Sequence, residues 1–150
     1  MTNPPIPFRP PVGLRLAAAA KAVSRAFDEE MAAAGGSMAI WQVLIAVKSR
    51  QTGNQRELAA TMGIQGATLT HHLNGMEKSG LVTRARNPEN RRVHAVELTP
   101  AGEELFLRLR EVALGFNHRL RDGLADEDLD RFEHILDRLT ANAVAEQQPN

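Results

Sequence analysis

A mainly α-helical fold carrying one small β-hairpin is what this sequence predicts, from three observations. Apolar residues recur every three or four positions over most of the chain. Two short helical segments meet at a Gly-containing corner, and two short β-prone runs flank a polar, arginine-rich turn. A chain of 150 residues is long enough to bury one core, so a single domain with helical extensions is expected. It contains no cysteine, which excludes a disulfide framework, a thiolate zinc site, a cysteine nucleophile and thiol-based redox sensing.

Five of the eight prolines (Pro4, Pro5, Pro7, Pro10, Pro11) fall within the first eleven residues, so residues 1–13 read as an extended Pro-rich arm. Leu16, Ala20, Val23, Phe27 and Met31 then form the apolar stripe of a first helix that ends at Gly35-Gly36. Ser37 suits the N-cap of a second helix, where Ile40, Trp41, Leu44, Ile45 and Lys48 continue to a break at Thr52-Gly53. Asn54 to Glu57 form a capping box, the Asn54 side chain accepting from the third backbone N–H while Glu57 reaches back to the cap. The third helix so opened turns Leu58, Ala59 and Met62 inward and stops at Gly63, a residue suited to the C′ position. A fourth helix runs from about Gln65 to Ser79 with Leu69, Leu73 and Met76 buried, and Gly80 ends it.

Leu81 to Arg84 and Val93 to Leu98 read as strands around a polar turn, Ala85 to Arg92, that contains Asn87-Pro88-Glu89-Asn90. Thr99 and Pro100 supply an N-cap and a first-turn proline for a long fifth helix. Along it Leu105, Leu109, Val112, Phe116 and Leu120 make one stripe and Phe106, Ala113 and Leu114 a second flank, a surface too wide for one neighbour. Gly123 closes this helix. In the sixth, Leu129, Phe132, Leu136, Leu139 and Ala143 repeat as on a helix packed along a seam, before it frays at Gln147 to Asn150.

A helix-turn-helix followed by a hairpin is a winged helix-turn-helix, and its chemistry is recognition of a nucleic-acid groove. Residues 37–99 form that region, and residues 14–36 and 100–146 form helical extensions suited to dimerisation. With Leu69, Leu73 and Met76 facing the core, the 100° helical step puts Ala67, Thr70, His71, Asn74 and Lys78 on the opposite face, free to meet base edges. Gln65 and Thr68 are candidates for backbone or edge contacts. In the wing, Arg84, Arg86, Arg91 and Arg92 crowd nine positions beside a single carboxylate, Glu89, and such a cluster repels itself unless an anion neutralises it. A hairpin tip bearing Arg91 or Arg92 is suited to the concentrated negative potential of a narrow minor groove. The whole chain is neutral, 18 basic against 18 acidic residues, yet the stretch from Lys48 to His94 holds eight basic residues against three acidic ones. A basic middle flanked by acidic ends is expected when one sub-region meets a polyanion.

Several short motifs make the pattern specific: Gln55-Arg56-Glu57-Leu58-Ala59, Gly63-Ile64, Leu69-Thr70-His71-His72-Leu73, Glu77-Lys78-Ser79-Gly80-Leu81-Val82, Asn87-Pro88-Glu89-Asn90-Arg91-Arg92 and Leu98-Thr99-Pro100-Ala101-Gly102. In order and spacing, from about Ser37 to Glu104, the chain resembles the MarR family of regulators. The resemblance implies a triangular homodimer in which the first, fifth and sixth helices of two subunits interlock. It also implies double-stranded DNA with a near-palindromic operator as partner, the fourth helix in the major groove and a wing arginine in the minor groove. Repression relieved by a small aromatic or lipophilic ligand is implied as well. Such families usually carry aspartate before the paired wing arginines, bracing one of them; Asn90 stands there and can only hydrogen-bond, which bears on wing rigidity.

No cofactor, metal or catalytic step is expected. His71 and His72 are adjacent and point about 100° apart on a helix, so they do not chelate together. His118 and His134 read as ordinary helix histidines. No Ser-His-Asp arrangement, phosphate-binding loop or paired catalytic carboxylate emerges from any spacing. The apolar stretch from Leu14 to Gly36 carries six charged residues and cannot span a bilayer, and the proline arm lacks the layout of a secretory leader, so a cytoplasmic protein is expected. Position in the fold points to Phe27, Trp41 and Phe106 as the lining of a ligand pocket. The competing reading is a winged-helix protein-interaction module with no operator of its own.

Overall fold

The computed structural model describes residues 9–49, 55–86 and 94–145. Most of the proline arm, the Thr52-Gly53 break, Asn54 of the capping box, the turn from Asn87 to Arg92 and the last C-terminal residues lie outside the described residues. The chain divides into two compact units, residues 1–115 and 116–150.

The first unit contains α1 (Val12–Ala33), α2 (Met38–Lys48), α3 (Gln55–Met62), α4 (Gly66–Lys78), β1 (Val82–Arg86), β2 (His94–Leu98) and the larger part of α5 (Pro100–Leu120). The hairpin is antiparallel, with Val82 opposite Leu98, Arg84 opposite Val96 and Arg86 opposite His94. Pairing thus continues two residues beyond Arg84, and Ala85 and Arg86 belong to the strand and not to the turn. At the other end α1 starts at Val12, ahead of the expected Leu14. The fixed backbone of Pro11 (φ −53°) serves as its N-cap, and the Pro11 carbonyl accepts from Arg15 N at 3.1 Å.

One core joins Met31 of α1, Val43, Leu44 and Ala46 of α2, Leu58 and Ala59 of α3, Leu69, Leu73 and Met76 of α4, Val82 of β1, and Leu105 and Leu109 of α5. In α2 the buried face departs from the expected one. Val43 and Ala46 are inside while Ile45 is exposed, because nearly every residue from Met38 to Val47 is apolar and periodicity marks no preferred side. Ser37 caps α2 as expected, its hydroxyl accepting from Ile40 N at 3.1 Å. A second cap comes from outside the helix: the Asp28 carboxylate of α1 accepts from Met38 N at 2.8 Å.

Two left-handed glycines flank α4: Gly63 (φ +65°) in the turn after α3 and Gly80 (φ +73°) after α4 itself. Each belongs to a paired C-terminal motif. Gly63 N donates to Ala60 O and Ile64 N to Ala59 O; Gly80 N donates to Glu77 O and Leu81 N to Met76 O. A residue with a Cβ at either position strains the backbone, so these two sites fix how the chain enters and leaves α4.

Thr99 then ties the hairpin to α5. Its N–H donates to Leu81 O at 3.0 Å, its hydroxyl donates to Gly80 O, and the same oxygen accepts from Gly102 N at 3.1 Å as an N-cap. The first turn of α5 consequently presses on the hairpin base, where a Cβ on Gly102 would lie 2.1 Å from the Leu81 carbonyl oxygen.

The second unit holds the end of α5 and α6 (Asp126–Ala145), joined by a turn in which Arg121 pairs with Asp126 at 2.7 Å. No described residue of α6 is buried, and Phe132, Ile135 and Val144 are about half exposed. Among the described residues no single helix is long and apolar enough to cross a membrane.

Two glycines check this account against each other. Gly102→Ala is expected to destabilise by about 1–3 kcal/mol through backbone overlap. Gly75→Ala, where the added methyl meets open space inside α4, is expected to stabilise by about 0.5–1 kcal/mol. Urea unfolding at unchanged m-value should move the two midpoints in opposite directions.

Candidate nucleic-acid interface

Leu69, Leu73 and Met76 are buried, so the orientation of α4 is set by its rear face. On the far side Ala67, His71, Asn74 and Lys78 fall into one row and are exposed, as is Thr68 near the helix start. Thr70, beside this row, is half-buried and donates its hydroxyl to Gly66 O of its own helix at 2.9 Å. Gln65 occupies the N-cap with extended backbone (φ −70°, ψ 149°) but makes no side-chain cap bond. The first-turn N–H groups of α4 are therefore not taken by that side chain, an arrangement that favours an anion at the helix end.

Arg84 does not project from the hairpin tip. It lies mid-strand with only 18% of its side chain exposed, and turns onto α4. Its Nε donates to Glu77 Oε2 at 3.2 Å, while Nη2 donates to Glu77 Oε1 at 3.3 Å and to Asn74 Oδ1 at 2.6 Å. A forked, charge-assisted contact of this kind fixes geometry as well as charge. For this residue the expectation of an anion contact in the wing gives way to a strut between hairpin and helix. Arg86 ends β1; its side chain, with Arg91 and Arg92, lies outside the described residues.

Lys48, counted in the basic middle of the chain, is likewise committed. Its Nζ sits 2.6 Å from Glu103 Oε2 and 5.6 Å from the centre of the Phe106 ring. Phe106 stacks on Trp41 with ring centres 5.6 Å apart and planes 19° from parallel. Both rings and Phe27 pack against the core. None of the three lines the open groove of about 670 Å³ that runs between α1, α2 and the corner before α4. That groove has Met38, Ala39, Met62 and Ile64 as apolar walls and Lys21, Arg25, Asp28 and His72 among its polar ones. The His71 and His72 rings are 5.9 Å apart and tilted by 59°. Among the described residues no three His, Cys, Asp or Glu side chains gather as a metal site.

Asp28 and Glu77 are the functional neighbours that sequence reasoning missed. The first reaches across ten residues to cap α2 and the second anchors Arg84. Both roles arise only when separate elements meet, and no local spacing announces them.

Comparison with known proteins gives a consistent set of relatives. The MarR family model matches residues 37–94. Over 116 residues, 77% of this chain and 84% of its relative, the sequence is 25% identical to the HTH-type transcriptional regulator YwoH of Bacillus subtilis (strain 168). The crystal structure of transcriptional regulator PA3341 is 30% identical, with a TM-score of 0.75 over 89% of this chain and 98% of that one. The transcriptional repressor CouR, bound to a 23-mer DNA duplex, is 27% identical with a TM-score of 0.78 over 87% and 92% of the two chains. CouR from Rhodococcus jostii RHA1 bound to p-coumaroyl-CoA is 24% identical, with a TM-score of 0.72 over 93% and 94%.

Proposed function

The chain belongs to the MarR family, and we propose that α4 and the hairpin are the surface with which this DNA-binding transcriptional regulator reads its operator. One observation carries the assignment: α4 buries Leu69, Leu73 and Met76 and leaves Ala67, His71, Asn74 and Lys78 in a single outward row, with Arg84 holding the hairpin beside it. Short amide, imidazole and ammonium groups on an exposed helix face match the donors and acceptors of the major groove. Gln65 and Thr68 stand at the helix start, where the N–H groups favour phosphate, and Thr70 lies beside the outward row as a further candidate for a base edge. Arg91 and Arg92, with Arg86, are the wing residues we assign to the minor groove.

Two copies are needed. Val12, Leu14, Leu107, Leu114, Phe132, Ile135 and Val144 are exposed in a single chain, more apolar surface than a monomer keeps in water. A second copy covers these faces and sets two recognition helices about 34 Å apart, one helical turn of duplex, on a near-palindromic site. The regulator works in the cytoplasm, and nothing in this reading calls for catalysis.

Repression relieved by a small aromatic or lipophilic ligand completes the reading, supported by the relative bound to p-coumaroyl-CoA. Trp41 and Phe106 stack on each other, so the groove beside α1 and α2 is the better seat for such a ligand. The ligand acts by preferring a dimer whose recognition helices are wrongly spaced, and its power is limited by that preference.

Binding to a duplex selected from a random pool, followed by fluorescence anisotropy against salt, tests the proposal. Neutralising roughly 6 to 10 phosphates gives a slope of log K against log salt of about −5 to −9. A slope near zero points instead to a protein-interaction module. Arg91→Ala or Arg92→Ala should weaken binding more than Lys78→Ala, and equal affinities for all three remove the wing from the mechanism. Phe132→Asp combined with Ile135→Asp should give a monomer by light scattering and abolish tight binding; an unchanged dimer argues against α6 as part of the seam.

A further inference from the structure

Resting on that assignment of α4 to the major groove, we infer that Asn74 meets its base pair through its Nδ2 donors, because Arg84 holds its carbonyl oxygen turned toward the hairpin. A guanidinium carries five N–H donors and no acceptor, so the Asn74 atom facing Nη2 at 2.6 Å is the oxygen whichever way an amide might otherwise turn. Arg84 cannot easily let go. It is also forked onto both oxygens of Glu77 and largely covered, so releasing Asn74 means turning a guanidinium that two further bonds hold in place.

An amide recognises adenine by using both ends at once, the oxygen accepting from N6–H while the nitrogen donates to N7. The Asn74 oxygen keeps a second lone pair, but its bond to Arg84 turns that oxygen toward the hairpin and holds the side chain in one orientation. What remains for DNA is the Nδ2 group, a pair of donors on the exposed row of α4. Donors favour guanine, whose O6 and N7 accept side by side, or thymine O4, over adenine, whose N7 stands beside the competing N6–H donor that only the amide oxygen could answer. Arg84 is thus a positioning residue that sets the polarity of a neighbouring reader without touching DNA, and Glu77 in turn positions Arg84.

The test uses the full-length protein and the duplex it enriches from a random pool, with every base pair of one half-site substituted in turn. Asn74→Ala and Asn74→Asp are compared with the wild type; Asp still accepts from Arg84 but has no donor. The expected result is that both variants lose about tenfold discrimination at the same single base pair, and that its contacted base is guanine or thymine. If Asn74 serves only to anchor Arg84, Asp restores wild-type selectivity while Ala weakens binding evenly across the site, which overturns the inference. An adenine at the Asn74-dependent position overturns it too. Arg84→Lys, which removes the fork, should allow adenine at that position to bind within about threefold of the selected base; undiminished rejection of adenine counts against the inference. A wild-type protein that enriches no duplex over random competitor defeats the operator-binding reading itself, an outcome separate from any variant result.

Discussion

The interaction on which the remaining structure depends is the burial of Leu69, Leu73 and Met76 in the common core. Removing such side chains from water contributes about 1.5–3 kcal/mol each, whereas an exposed ion pair contributes about 0–1 kcal/mol. Turning α4 by one residue, 100°, would bring Thr70 and Asn74, or Thr68 and His72, to the core and carry the leucines toward the surface. Surface chemistry has nothing of comparable size to set against that. The identity of the outward row is therefore decided from behind, by apolar contacts with α2, α3 and β1, and the polar residues of that row take no part in that packing.

Charge is used in a way that its distribution along the chain does not suggest. Of the eight basic residues between Lys48 and His94, Lys48 is held by Glu103 and the face of Phe106, and Arg84 by Glu77 and Asn74. Both hold elements together and add little to a field felt at a distance. Lys48 fastens the end of α2 to α5; Arg84 fastens the hairpin to α4. The Arg84 side chain is largely covered while Glu77 is about half exposed, so salt screens this pair in part. Hairpin and α4 are accordingly joined by hydrogen-bond geometry as well as by charge.

Much of this architecture is legible in the sequence because local rules and tertiary packing agree. The capping residues Ser37 and Thr99, the left-handed Gly63 and Gly80, and the three-and-four spacing on α3, α4 and α5 each mark a feature that the folded chain keeps. Legibility fails where the pattern is saturated or the partner is remote. In α2 almost every side chain is apolar, so no stripe distinguishes buried Val43 from exposed Ile45. Asp28 caps a helix that begins ten residues later, and Gly102 is small because the Leu81 carbonyl passes close to it. Arg84 belongs to a run of arginines that looks like one anion site. Continuation of the ladder to Arg86 puts it mid-strand against α4, and a count of charges has no means of seeing that ladder.

The two units solve different problems with different interactions. The first is held by a core of its own, which fixes the outward row of α4 within one chain. In the second, α6 has no buried residue and draws its helicity from local sources. Asp126, Glu127 and Asp128 oppose the positive end of the helix, and the Arg121 pair with Asp126 fixes its entry. Under the proposed dimer, recognition chemistry is a property of one chain and operator spacing a property of two. A ligand that shifts the seam can then change which duplexes fit without disturbing a single side chain on α4.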